Sequence, residues 1–210
     1  MDKTLLYDIS YGLYIIGANE NGKPVGCVAN TVAQITSENP TIAISLNKNN
    51  YTYQVIEKSK KFSINILSED INSELIGTFG FHTSKDTDKY KGIDYKLIDT
   101  LPVIKERCCG TLLCDVIQMV DMETHVILIA RLTDSVRNES LTPMTYSYYH
   151  KVIKGKAPKN APTYQEEEKT TSTSYVCSVC GFIHEGDIGD EPDQYLCPIC
   201  KAPKSKFEKK

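Results

Sequence analysis

Four cysteines near the C-terminus constrain this chain more than any other feature. They form Cys177-x-x-Cys180 and Cys197-x-x-Cys200, with 16 residues between the pairs. Two such turns can bring four thiolates to the corners of a tetrahedron, which suits zinc or iron. Eight cysteines in a secreted chain would suggest disulfides. The opening MDKTLLYDIS, however, has neither the basic region nor the apolar stretch of a secretory signal. The expected compartment is therefore the reducing cytoplasm, where paired Cys-x-x-Cys points to metal. No run approaches the roughly 18 apolar residues that would span a membrane. A formal net charge of −3, with no patch of interleaved basic and aromatic residues, argues against nucleic-acid binding. Cys27, Cys108, Cys109 and Cys114 lie scattered in strand-like contexts and read as small buried hydrophobes.

Composition divides the chain into three zones: 1–154, 155–173 and 174–210. The first is rich in β-branched and aromatic runs. YGLYIIGA, PVGCVANTVAQIT, TIAISLN, FSINIL, TLLCDVIQMVD and THVILIARLTDSV read as strands bounded by turn residues, with Asn21-Gly22 as a hairpin tip. NNYTYQVIEKSK reads as a helix with Tyr53, Ile56 and Lys60 at helical spacing, and EDINSELIGTFG as a second one ending at a glycine. Many strands with few short helices predict a mainly β fold, an antiparallel barrel with helical insertions. Residues 155–173, GKAPKNAPTYQEEEKTTST, have linker composition; as flexible coil they would span roughly 25 Å.

In the third zone the flanks of the cysteines favour a redox metal. Gly181 tolerates the positive φ that a sulfur-facing turn can require, and Pro198 stiffens the second turn. Tyr175, Phe182, Tyr195 and Phe207 can shield the site from water, and His184 reads as a surface residue. YVCSVCGF, the acidic GDIGDEPD and CPICKAPKSKFE together resemble rubredoxin over the whole zone. The resemblance implies one iron ion held by Cys177, Cys180, Cys197 and Cys200, a one-electron carrier. The chain departs from free-standing rubredoxins in a shorter gap between the pairs and in having no Trp.

The first zone holds two loops suited to a phosphorylated ligand. ISLNKNNYTYQ runs from a strand into a helix start, where free N–H groups and the positive dipole end favour phosphate. Ser45, Asn47, Lys48 and Thr52 add donors, and GFHTSKDTDKYKG offers His82, Ser84, Lys85 and Lys89. In their order along the chain these segments, with CVANTVAQIT and SLNKNNYT the most specific, are similar to the FMN-binding split-barrel flavin reductases. The similarity runs from about residue 8 to 165, and the domain order resembles that of high-molecular-weight rubredoxins of anaerobes. It implies that Val28, Ala29, Asn30 and Thr31 line the flavin. It assigns Ser45, Leu46, Asn47, Lys48 and Thr52 to the ribityl chain and phosphate, with Ser84 and Lys89 completing the clamp. His125 matches the histidine of an H-x-x-x-x-G pattern in which Ala130 replaces the glycine, and would orient the hydride donor. His82 stands where relatives carry Arg or Lys; His150 suits either interface packing or function.

The implied protein is a cytoplasmic homodimer in which FMN accepts hydride from NADH or NADPH and the iron delivers single electrons to a partner. The family context suggests a flavodiiron oxygen or nitric oxide reductase as that partner, and the acidic stretch 185–193 would meet its basic patches. Two alternatives stand beside this. One is a free-flavin or ferric reductase with an accessory tail; the other is a zinc-ribbon interaction module on a non-catalytic barrel.

Overall fold

The computed structural model describes residues 4–138, 140–153, 155, 161 and 174–209. Among these, seven strands form one antiparallel sheet: β1 (Tyr14–Glu20), β2 (Lys23–Ala29), β3 (Val32–Thr36), β4 (Thr41–Asn47), β5 (Lys61–Leu67), β8 (Cys108–Met122) and β9 (His125–Arg137). Their spatial order is β2-β1-β5-β8-β9-β4-β3. The two edge strands, β2 and β3, are therefore neighbours in sequence, joined by Asn30 and Thr31 alone. Two residues bridge on the order of 10 Å, so the sheet must curl until its edges nearly meet. That is a split barrel, as the sequence predicts.

PVGCVANTVAQIT, expected to be one strand, is thus two, placed at opposite ends of the sheet. Val32 N–H bonds back to the Asn30 carbonyl at 3.2 Å, kinking the chain, and the Thr31 carbonyl accepts from Ser45 N–H at 3.2 Å. The β1–β2 hairpin turns at Asn21-Gly22, with φ of 52° and 90°, as a two-residue turn requires.

The continuous apolar run of β1 reflects burial on both faces. Ile16 and Ala18 join the barrel interior with Val25, Ile44, Ile64, Leu128 and Ala130. Ile15 belongs to a second cluster with Leu13, Leu67, Ile76, Phe79 and Tyr90. Helix α1 (Tyr51–Ser59) closes one end of the barrel with Tyr53, Val55 and Ile56. It starts at Asn50, whose side chain accepts from Thr52 N–H, and ends where Lys60 turns left-handed at φ 58°, so Lys60 lies outside the helix. Helix α2 (Ser73–Phe81) feeds Ile76 and Phe79 into the second cluster and runs one residue past Gly80.

A hairpin of β6 (Tyr95–Ile98) and β7 (Leu101–Ile104) was not legible in the sequence. Its tip is Asp99-Thr100, both at positive φ without a glycine, and Pro102 sits inside β7. Asn65, fully buried on β5, ties it down: Oδ1 accepts from Ile104 N–H and Thr111 Oγ, each at 2.8 Å, and Nδ2 donates to the Ile15 carbonyl at 3.1 Å. A short helix α3 (Tyr146–Lys151) follows the barrel. The C-terminal zone is a separate three-stranded sheet of β10 (Ser174–Cys177), β11 (Ile183–Glu185) and β12 (Phe207–Lys209), ordered β11-β10-β12. The expected linker at 155–173 lies outside the described residues except at Gly155 and Ala161. No described helix is long and apolar enough to cross a membrane.

Replacing Asn65 with Leu keeps its volume but strands the Ile104 N–H and the Thr111 hydroxyl. Equilibrium denaturation should show a loss of about 3 kcal/mol; a change under about 0.5 kcal/mol would mean the hairpin is held by packing alone.

Candidate flavin and metal sites

A cavity of about 420 Å³ opens where the barrel fails to close. Its walls are the ends of the split: Cys27, Val28, Ala29 and Asn30 leaving β2, and Ser45, Leu46 and Asn47 ending β4. The N-terminus of α1, at Asn50 and Tyr51, faces it from one side, and the segment Gly80–Ser84 with Lys89 from another. A helix start and a buried cation on one cavity are what an anionic group needs.

Lys89 is only 3% exposed. Its ammonium donates to the carbonyls of Gly26 at 2.9 Å and Phe79 at 3.1 Å, leaving one N–H. Among the described residues no carboxylate pairs with it, and burial lowers its pKa to about 8. A buried charge of this kind is costly without a counter-ion, so the cradle fits a phosphate. Gly26 makes the approach possible: a Cβ there would stand 2.8 Å from the Phe79 ring and 2.9 Å from the Tyr90 hydroxyl. Ser84 spends its hydroxyl on the same residue, donating to Gly26 C=O at 3.0 Å and accepting from Gly26 N–H at 3.1 Å. It latches the 82–89 loop to β2.

In the C-terminal sheet, Cys177, Cys180, Cys197 and Cys200 are all buried and their sulfurs lie within 4.8 Å of one another. The closest pairs are Cys180–Cys197 at 3.4 Å and Cys177–Cys200 at 3.6 Å. A metal about 2.3 Å from each sulfur requires edges of roughly 3.8 Å in a tetrahedron, so the four fit one ion. Backbone N–H groups of Ile199 and Cys200 bond to the Cys197 sulfur, Phe182 N–H to Cys180 and Ala202 N–H to Cys200. Such bonds stabilise thiolate charge and tune a redox metal. Gly181 has φ 74°, as the turn demands. His184 is not a surface residue: its side chain is 15% exposed and packs against Tyr195 and Phe207.

Residues 6–155 match the flavin reductase like domain, and residues 175–208 match the rubrerythrin, rubredoxin-like domain. The chain belongs to the flavin reductase like family and carries a rubredoxin-like domain at its C-terminal end. It is 40% identical to the high molecular weight rubredoxin of Moorella thermoacetica, over 99% of both chains. It is 35% identical to the ferric-chelate reductase (NAD(P)H) of Archaeoglobus fulgidus, over 80% of this chain and 100% of that one. Nitrilotriacetate monooxygenase component B from Mycobacterium thermoresistibile shares the barrel at a TM-score of 0.59 and 25% identity, over 66% of this chain and 75% of its own.

Within this flavin reductase like barrel, nine of the twelve residues expected at the flavin border the cavity: Val28, Ala29, Asn30, Ser45, Leu46, Asn47, Ser84, Lys89 and His125. Three do not. Thr31 turns its hydroxyl to Asn30 Oδ1 at 3.0 Å. Lys48 pairs with Asp121 on the outer face. Thr52 is buried in the first turn of α1, beside the Cys27 thiol. His125 begins β9 opposite Asn47, with Nδ1 2.8 Å from Thr124 Oγ. His82 also borders the cavity, at the C-terminal end of α2. His150 sits away from the cavity lining, edge-on to Tyr146 with Nδ1 2.7 Å from the Gly155 carbonyl. Sequence reasoning missed Tyr146 and Tyr149, which close the cavity from α3; the tyrosine cluster TYSYYHK was the available signal. Cys27, Cys108, Cys109 and Cys114 are buried as expected. Burial pushes Cys108 and Cys114 to about 12, so they stay protonated and inert.

The lowered Lys89 pKa has a testable sign. Below pH 8 both folded and unfolded chains carry the proton, and the cost of burying the charge is fully present. Between about 8 and 10 the folded chain releases it first, because the unfolded value is near about 10.4. In flavin-free protein, wild type should therefore gain about 1 kcal/mol per pH unit over Lys89→Met across that window. A pH-independent difference in unfolding free energy would contradict the placement of Lys89.

Proposed function

We propose that this chain takes reducing equivalents from NADH or NADPH and delivers single electrons to a partner protein. FMN in the cavity and one iron ion at the four cysteines are its working groups. Residues 1–154 are the flavin domain and 174–210 the iron domain, with 155–173 joining them. When bound, the flavin supplies a two-electron hydride acceptor able to give electrons up singly, and the iron supplies a one-electron ferric/ferrous couple. The residues of the chain set where and how this happens. Lys89 and the start of α1 hold the phosphate end, which argues for FMN over a flavin lacking phosphate. Backbone groups of Val28 to Asn30 would line the flavin ring and supply hydrogen bonds that tune it. Ser45 and Asn47 serve the ribityl chain. His125, at the cavity edge, orients the nicotinamide.

The observation that carries this reading is that Val179, between Cys177 and Cys180, itself borders the flavin cavity. A metal domain unrelated to the flavin would have no reason to stand there. Glu185, Asp187, Asp190 and Asp193 are exposed on the iron domain and suit a partner with basic patches. A flavodiiron oxygen or nitric oxide reductase is the proposed acceptor, in the cytoplasm of an anaerobe, with the chain acting as a homodimer. A second reading has one specific support. The ferric-chelate reductase relative is matched over its full length by only 80% of this chain. The barrel alone would then reduce small ferric or flavin acceptors, with the tail accessory.

Replacing Cys177 and Cys180 with Ser separates the two readings. Reduction of the partner should fall at least about 100-fold while NADH-dependent reduction of a small dye stays within about 2-fold. Unchanged partner reduction would leave the accessory-tail reading standing.

A further inference from the structure

Helix α2 has two working faces. Ile76 and Phe79 point into the barrel cluster, while Ser73, Gly77 and Phe81, at i, i+4 and i+8, share another side. That side meets the second cysteine turn of the same chain. Ser73 Oγ donates to the Pro198 carbonyl at 3.4 Å. Glu74 pairs with Lys201 at 2.7 Å. Phe81 packs against the cluster that holds the four cysteines.

Gly77 is the least expected residue of this set. It is buried in the middle of a nine-residue helix, where glycine costs roughly 1 kcal/mol relative to alanine. Its φ is helical, so no backbone strain calls for glycine. A Cβ at this position would run into the Ile199 carbonyl oxygen and stand 2.8 Å from Ile199 C and 3.1 Å from Cys200 Cα. All three nearest atoms belong to the cysteine turn and none to the barrel. The glycine makes room for the cysteine turn of the iron domain.

We infer that this face of α2 is a docking seat for the Cys197–Lys201 turn of its own chain, and that Gly77 is the residue that admits it. The seat sets the four-cysteine site at the mouth of the cavity, with Val179 of the other turn reaching the lining. Its purpose rests on the proposed function, but its existence does not. All four cysteines are buried in the docked arrangement. The turn that bears Cys197 and Cys200 lies against α2, and a partner needing that surface must wait until the domain leaves the seat.

The test is Gly77→Ala in the full chain. Alanine favours the helix itself, so the barrel should fold at least as well. Loaded with zinc in place of iron, the wild type should show module amides whose ¹⁵N relaxation matches tumbling with the barrel. In Gly77→Ala they should relax as a small independent domain. With flavin and iron bound, rapid mixing with NADH should bleach flavin at the wild-type rate, while iron reduction slows at least 10-fold. Glu74→Lys should slow iron reduction 2- to 5-fold, and adding Lys201→Glu should restore it. Identical relaxation and iron kinetics in wild type and Gly77→Ala would overturn the seat. If NADH reduces neither group in wild type, the functional reading fails, while the relaxation comparison still decides docking. Co-expressing Gly77→Ala chains with Cys177→Ser/Cys180→Ser chains tests the same-chain claim. No recovery of iron reduction is expected, and recovery would place the seat on the partner subunit.

Discussion

A two-residue connection between the edge strands is the constraint on which the rest depends. Asn30 and Thr31 must carry the chain from one end of a seven-stranded sheet to the other, and that forces the sheet to curl. Closure is incomplete because the two edges are joined at one end and not hydrogen-bonded along their length. The gap becomes a cavity walled on two sides by strand ends. Its backbone groups are fixed by pairing: Ala29 to Tyr14 on one wall, Leu46 to Val126 on the other. A planar ligand placed there meets donors and acceptors that are already oriented, the condition for tuning a cofactor without moving the protein.

The electrostatics follow from that geometry. Gly26 lets Phe79 and Tyr90 press onto β2, and its carbonyl holds the Lys89 ammonium. Ser84, expected as a phosphate ligand, uses both faces of its hydroxyl on Gly26 and acts one step back, holding Lys89's loop in place. The four thiolates solve the opposite problem, negative charge in an apolar shell. They are answered by N–H groups of the two turns and shielded by Tyr195 and Phe207.

Much of this was legible because the signals are local. Four cysteines at fixed spacing, an asparagine cap before α1 and an Asn-Gly hairpin each carry their structure within a few residues. The rest depended on distant partners. The β6–β7 hairpin turns at Asp99-Thr100, where no glycine announces a positive φ, and its anchor Asn65 lies some 35 residues away on β5. CVANTVAQIT reads as one strand because no Gly or Pro interrupts it, and only the sheet order reveals the switch of edges. Lys48 looked like a phosphate ligand beside Asn47, yet pairs with Asp121, across the β8–β9 turn. Gly77 within LIGTF could not be distinguished from a weak point in a helix until the cysteine turn was seen against it. His184 looked exposed until β11 and β12 placed it among aromatic rings.

The proposed relay requires one chain to hold a two-electron centre in the barrel split and a one-electron centre in its cysteine domain, close enough to act together. Anaerobic rapid mixing of the flavin- and iron-loaded protein with NADH, followed at the flavin and thiolate-to-iron bands, tests it most directly. Flavin should bleach first, with ferric iron following within the same turnover. Full flavin bleaching with the ferric band unchanged over minutes would contradict it.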